Sequence, residues 1–187
     1  MGLITKSVFA ALVGAVAVSA QCTGPAANAA TVSLVAEFEG FSPDIYDDPS
    51  GYPTVGYGHL CGDPSCSEVP YPIPLSEEDG RKLLASDMAV AQNCITMQTA
   101  ESVVLNDNQY GALVSWAFNV GCGNSGSSTL ISRLNAGEDP NTVAAEELPK
   151  WKYSGGVELP GLVRRRAAEV DLHKTPSDVG ALPTPNC

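Results

Sequence analysis

Seven of the chain's 14 prolines fall between Pro43 and Pro74. Each proline removes a backbone donor and its ring clashes with the preceding helical turn, so no helix survives that density. The segment must be strands, turns and loop, and helices are confined to either side of it. Within it, Pro43, Pro49, Gly51 and Pro53 punctuate short runs rich in Tyr, Val, Ile and Thr over residues 41–60. That pattern predicts a small antiparallel sheet with tight turns. Residues 61–74 hold Cys61, Cys66, Pro64, Pro70, Pro72 and Pro74 and read as a surface loop.

The flanks read as helices. Upstream, Leu34, Val35 and Phe38 recur at helical spacing over Thr31–Glu39, with Thr31 or Ser33 as the cap and Gly40 as the stop. Downstream, Ser76 caps a helix running to about Ile95, its acids Glu77, Glu78 and Asp79 on the positive end of the helix dipole. Residues Asn106–Val120 carry an apolar face of Tyr110, Leu113, Val114, Ala117 and Phe118. Shorter helices fit residues 127–136 and 141–148, and a last one fits 160–173 with Pro160 near its first turn. The tail 174–187 is Pro-rich and reads as extended. The expected class is therefore α+β: a sheet lobe over about residues 31–74, a connecting helix over about 76–95 and a helical lobe over about 96–173.

Residues 1–20 read as an address rather than as fold: one lysine, an apolar run from Val8 to Val18, then the small residues Ser19 and Ala20 before a cleavage point at Gln21. The alternative is a retained, weakly hydrophobic anchor. All six cysteines follow this segment, which in a secreted chain implies three disulfides. Fifteen connectivities are possible and the sequence alone does not choose. The expected pairing joins Cys94, at the end of the long helix, to Cys122, just after the core helix. Cys61–Cys66 then closes a short loop and Cys22–Cys187 ties the two ends. With no CxxC pair and only two histidines, no metal site and no cofactor are expected. The net charge of −11 argues against nucleic acid as a partner, because phosphate binding needs a basic face. No membrane contact is expected once the leader is removed, and a monomer is the default.

Glu39, Asp48 and Thr54 form a compact set of two acids and a hydroxyl. Two carboxylates in different environments suit general acid–base work, such as hydrolysis of a glycosidic bond. The spacing alone is weak, since the chain has 21 acids and an Asp beside Pro and Gly commonly caps its own turn.

The string Phe38-Glu39-Gly40-Phe41, then Tyr46, Asp48 and Gly51, then Thr54-Val55-Gly56-Tyr57-Gly58-His59 resembles the phage-lysozyme family, glycoside hydrolase family 24. That family's pattern places eight residues between Glu and Asp and five between Asp and Thr, as here. The resemblance continues through Ala112–Gly121, Ser127–Leu130 with Arg133–Asn135, and Trp151 to Arg166, covering about residues 31–173. It implies a lysozyme-like fold and a muramidase acting on the glycan strands of bacterial peptidoglycan with inversion. Glu39 would be the general acid, with Asp48 and Thr54 handling the attacking water. Leu60, Phe118, Asn119 and Ser128 are candidate substrate contacts, with a buried, backbone-bonding role as the alternative for Asn119 and a helix cap as the first reading of Ser128. The resemblance also implies an ion pair of His59 with Asp87, whose carboxyl the neighbouring imidazole is expected to depress. Six cysteines and the acidic balance point to a secreted, antibacterial, fungal-type member. A lytic transglycosylase and an inactive wall-binding protein are the competing readings, both disfavoured by the intact Glu39, Asp48 and Thr54. Of Arg164, Arg165 and Arg166, one arginine is expected inward on an acid and two solvated.

Overall fold

The computed structural model describes residues 22–184 and 187. The leader expected at residues 1–20 lies outside them. Helix α1 (Ala29–Glu39) is followed by a three-stranded antiparallel sheet of β1 (Ser42–Asp47), β2 (Pro53–Gly56) and β3 (His59–Leu60), in that order. The cap of α1 is Asn28, three residues ahead of the expected Thr31: its Oδ1 accepts from the Thr31 amide at 2.9 Å. Thr31 is instead buried and donates its hydroxyl to the same oxygen at 2.8 Å. Gly40 ends α1 at φ 74°, a backbone that favours glycine and turns the chain straight into β1.

The connecting helix begins where expected, with Ser76 accepting from the Asp79 amide at 3.1 Å. It runs as two pieces, α2 (Glu77–Asp87) and α3 (Ala89–Gln98), joined at Met88. Met88 is fully buried and keeps a hydrogen bond from its amide to Leu84 O, so the interruption is a local tightening rather than a turn. Strand β4 (Leu105–Asn106) leads into α4 (Asp107–Val120), whose first turn closes a capping box between Asn106 and Gln109. Helix α4 is buried on every side from Tyr110 to Ala117, including Trp116, and is the post around which the rest packs. It approaches α1 so closely that a methyl on Gly111 would lie 1.8 Å from Thr31 Oγ1.

Around α4 lie α5 (Cys122–Gly126), α6 (Thr129–Asn135), α7 (Pro140–Glu147) and α8 (Pro160–Lys174). Two strands, β5 (Tyr153–Ser154) and β6 (Val157–Glu158), form a hairpin before α8. The tail is not wholly irregular: β7 (Gly180–Leu182) pairs antiparallel with β4. The core divides into a large cluster about α4 and a small one of Val55, Cys61, Cys66, Leu75 and Leu83 beneath the sheet. Three disulfides close the structure: Cys22–Cys187, Cys61–Cys66 and Cys94–Cys122. The α+β, lysozyme-like arrangement expected from the sequence is the one observed.

Candidate active site

Glu39 is the last residue of α1, and Gly40 beyond it leaves the carboxylate at a helix edge. Its side chain is 26% exposed and its Oε1 accepts from Arg165 Nη1 at 2.6 Å. It opens on a groove walled by Phe38, Asn119, Leu159, Leu162 and Arg165. The groove continues past Asn119 and Leu162 to Trp151, Tyr153 and Ser154 of the hairpin.

Asp48 follows β1 and shapes the turn to β2. Its Oδ1 accepts from the amides of Ser50 and Tyr52 at 2.8 and 2.9 Å. Thr54 lies on β2, nearly buried, and donates its hydroxyl to Tyr52 O at 3.0 Å. Both side chains are thus bound to the backbone of one residue, Tyr52, from its two ends. Neither is among the residues that wall the part of the groove between Glu39 and Arg165; both stand on the sheet side of Glu39, beyond Gly40. The three are connected through Gly40 and the length of β1. Thr54 stands between Tyr46 and Leu60 in the sheet register, and both neighbours are exposed.

Of the other expected contacts, Leu60 is exposed on β3, Phe118 is half-buried against the core, and Asn119 is exposed on the groove wall. Ser128 takes the capping role. It caps α6, accepting from the Ile131 amide at 3.1 Å and donating to Ser125 O at 2.6 Å, and it is buried. Its oxygen caps the helix start and its one proton goes to Ser125 O, so both are used by the fold.

His59 and Asp87 meet: Nδ1 lies 2.9 and 3.0 Å from the two carboxylate oxygens. On the other side of the ring, Nε2 lies 3.4 Å from Glu68 Oε1, which also accepts from the Gly62 amide at 2.8 Å. The ring therefore pins the Cys61–Cys66 loop to the α2–α3 junction. The carboxyl of Asp87 is not depressed as expected. Burial raises it above the usual range, outweighing the hydrogen bond and charge of His59.

The arginine cluster also differs from expectation. Arg165 and Arg166 are both buried and only Arg164 is solvated. The reason is Glu169, fully buried one turn on. Its Oε1 accepts from Ser115 Oγ at 2.9 Å, Arg166 Nη2 at 2.9 Å and Arg165 Nε at 3.3 Å. Arg166 Nε lies 2.8 Å from Oε2, but its N–H is not aimed at that oxygen, so the contact is electrostatic. Burial pushes the Glu169 carboxyl up to about 6, against the pull of both guanidiniums and the Ser115 hydroxyl. Burial likewise draws Arg166 below its ordinary value. Arg166 Nη2 also donates to Asn119 Oδ1 at 3.1 Å. A chain of charges thus runs from Glu39 through Arg165, Glu169 and Arg166 to Asn119 on the groove wall. Sequence reasoning passed over Glu169. Its signal was an acid three and four residues after two arginines, the spacing of helix-face partners.

No group of His, Cys, Asp and Glu among the described residues is arranged to hold a metal. No helix among them is long and apolar enough to cross a membrane.

Comparison with known proteins places the chain in a family. The family model described as phage lysozyme matches residues 36–169. An endolysin of Bacillus phage B103 is 38% identical over 148 residues, covering 78% of this chain and 53% of that protein. The chain therefore spans about half the length of that relative. A SAR-endolysin of bacteriophage PS119 is 32% identical over 90% of this chain and 93% of its own length. Among solved structures, a variant of P22 lysozyme superposes with a TM-score of 0.68 at 28% identity, over 79% of this chain and 97% of the other. With the matched segment running from α1 to the buried glutamate of α8, the chain belongs to the phage lysozyme family.

Proposed function

We propose that this chain is a lysozyme that hydrolyses the β-1,4 bonds between N-acetylmuramic acid and N-acetylglucosamine in bacterial peptidoglycan, with inversion at the anomeric carbon. The observation that carries this reading is the setting of Glu39. Arg165 holds Oε1 at 2.6 Å and so fixes the carboxyl at the edge of the groove, with Oε2 turned to a sugar lying there. Glu39 then protonates the leaving oxygen. Asp48 and Thr54, bound to the two ends of Tyr52, orient the attacking water on the other face of the ring. Asp48 keeps Oδ2 for that water, since the turn amides use Oδ1. Leu60, Phe118 and Asn119 contribute the walls that hold the sugars. The enzyme works outside the cytoplasm, because three disulfides form and persist in an oxidising compartment.

Clearing of a peptidoglycan suspension tests the reading, with wild type beside Glu39→Gln. Glu39→Gln should fold and lose nearly all clearing. The first product should carry a free reducing end in the α configuration. A folded Glu39→Gln protein that clears normally overturns the role of Glu39. Anhydro-muramic ends would make the protein a transglycosylase instead, and a β product would exclude inversion.

A further inference from the structure

We propose that Glu169 is a positioning residue for the reaction, acting through Arg165 on Glu39; this rests on the reading of Glu39 as the general acid. Arg165 presents three corners of its guanidinium to three different partners. Nη1 meets Glu39 Oε1 at 2.6 Å, Nη2 meets Ser115 O at 3.3 Å, and Nε meets Glu169 Oε1 at 3.3 Å. The ring of Phe38 lies 5.8 Å from its Cζ and backs one face of the plane. Three in-plane contacts and one facial contact leave the group a single orientation, the one that aims Nη1 at Glu39. Of these partners only Glu169 is an anion inside the core, where an attraction is least screened.

Glu169 does not serve Arg165 alone. Arg166 sits on the same carboxylate and reaches Asn119, so one buried acid fixes two cations aimed at opposite parts of the groove. Nothing about stability requires this arrangement. Well-packed apolar side chains of similar volume commonly replace a buried ionic cluster at no loss. The cluster even leaves hydrogen-bonding atoms of Arg166 and Glu169 without well-aimed partners. What apolar side chains would not supply is a guanidinium held still beside Glu39. A general acid contributes only when its proton lies within hydrogen-bond reach of the leaving oxygen. A misplacement of about 1 Å lowers turnover by about 100-fold.

The test measures kcat and KM on soluble peptidoglycan fragments, with the folded fraction fixed by near-ultraviolet circular dichroism. Glu169→Gln removes the anion and Glu169→Asp keeps it. The double replacement of Arg166→Met with Glu169→Met deletes a cation with the anion, so no uncompensated charge remains if Glu169→Gln alone fails to fold. Glu147→Gln removes a second buried acid, which binds Arg133 and Lys150 away from the groove. In folded protein, Glu169→Gln should lower kcat about 10-fold to 100-fold with little change in KM, and the double replacement, which also frees Asn119, should lower kcat as far. Glu169→Asp should recover part of it, and Glu147→Gln should leave kcat unchanged. Wild-type kcat in folded Glu169→Gln or in the folded double variant overturns the proposal. So does a fall that Glu147→Gln reproduces. Glu39→Gln is run alongside: if it stays active, the general-acid reading fails, whatever Glu169 does.

Discussion

His173 offers the sharpest measurable consequence of burial in this fold. It stands in the last turn of α8, where the helix dipole favours a cation. It is also almost completely buried, with Nδ1 on Asn141 Oδ1 at 3.2 Å and Nε2 without a partner among the described residues. Burial wins, and the imidazole is pushed down from 6.5 to about 4, against the nearby charge of Asp139 and with that of Lys174. The folded state therefore prefers the neutral ring. Its contribution is complete above the unfolded value and is lost as pH falls toward the folded one. A shift of that size corresponds to about 3 kcal/mol of stability lost between pH 7 and pH 4. Glu169 works the other way. Its carboxyl is raised, so its contribution appears as pH falls through about 6 and is complete below its unfolded value. That offsets about 2 kcal/mol of the loss. Wild type should thus lose about 1 kcal/mol from this pair, and His173→Leu should lose about 3 kcal/mol less than wild type on the same acidification. Urea unfolding of both proteins at half-unit steps from pH 7 to pH 4 measures this. The difference between the two curves cancels the titrating groups that do not interact with His173, leaving the histidine and its coupling to Asp139 and Lys174. A difference that stays constant across that range refutes the reasoning.

Two further changes probe the frame of the site. Gly111→Ala gains about 1 kcal/mol of helix propensity but places its methyl against Thr31, an overpacking that costs more. A net loss of about 2 kcal/mol is expected in thermal or urea melts, with activity falling as α1 and Glu39 are pushed outward; unchanged stability would contradict the close approach. The raised carboxyl of Asp87 contributes stability below its unfolded value and loses it as pH climbs through the folded one. Asp87→Asn should therefore cost less at pH 7 than at pH 3.5, and a cost that grows toward neutral pH would show that the charge of His59, not burial, governs the pair.

The parts of this structure that could be read from sequence are those governed by local rules. Ser76 followed by three acids marks a helix start because capping and dipole act within one turn. The prolines from Pro43 to Pro74 exclude helix for equally local reasons. Glu39, Asp48 and Thr54 became legible through resemblance rather than through spacing, since the turn at Asp48 is one that any acid beside Pro49 and Gly51 would make. What escaped depends on distant partners. The inward turn of both Arg165 and Arg166 requires the space between α4 and α8, and helical spacing alone allots only one of three consecutive arginines to the core. The pairing of β4 with β7 joins residues 105–106 to 180–182, and such short strands leave no periodic trace. Asn28 captured the cap of α1 because it also reaches Asp107 and Asn108 with its amide, contacts that only the folded chain provides.

The bridge between Cys22 and Cys187 turns the intervening chain into a covalent ring. A ring behaves differently from a thread when it is cut. One proteolytic nick, for instance at Gly155-Gly156 in the exposed hairpin, opens the ring but frees no fragment. The halves stay tethered through the bridge and through the pairing of β4 with β7 beside it. A chain of this build survives its first cut in one piece, separating into two only after a reductant or a second cut arrives.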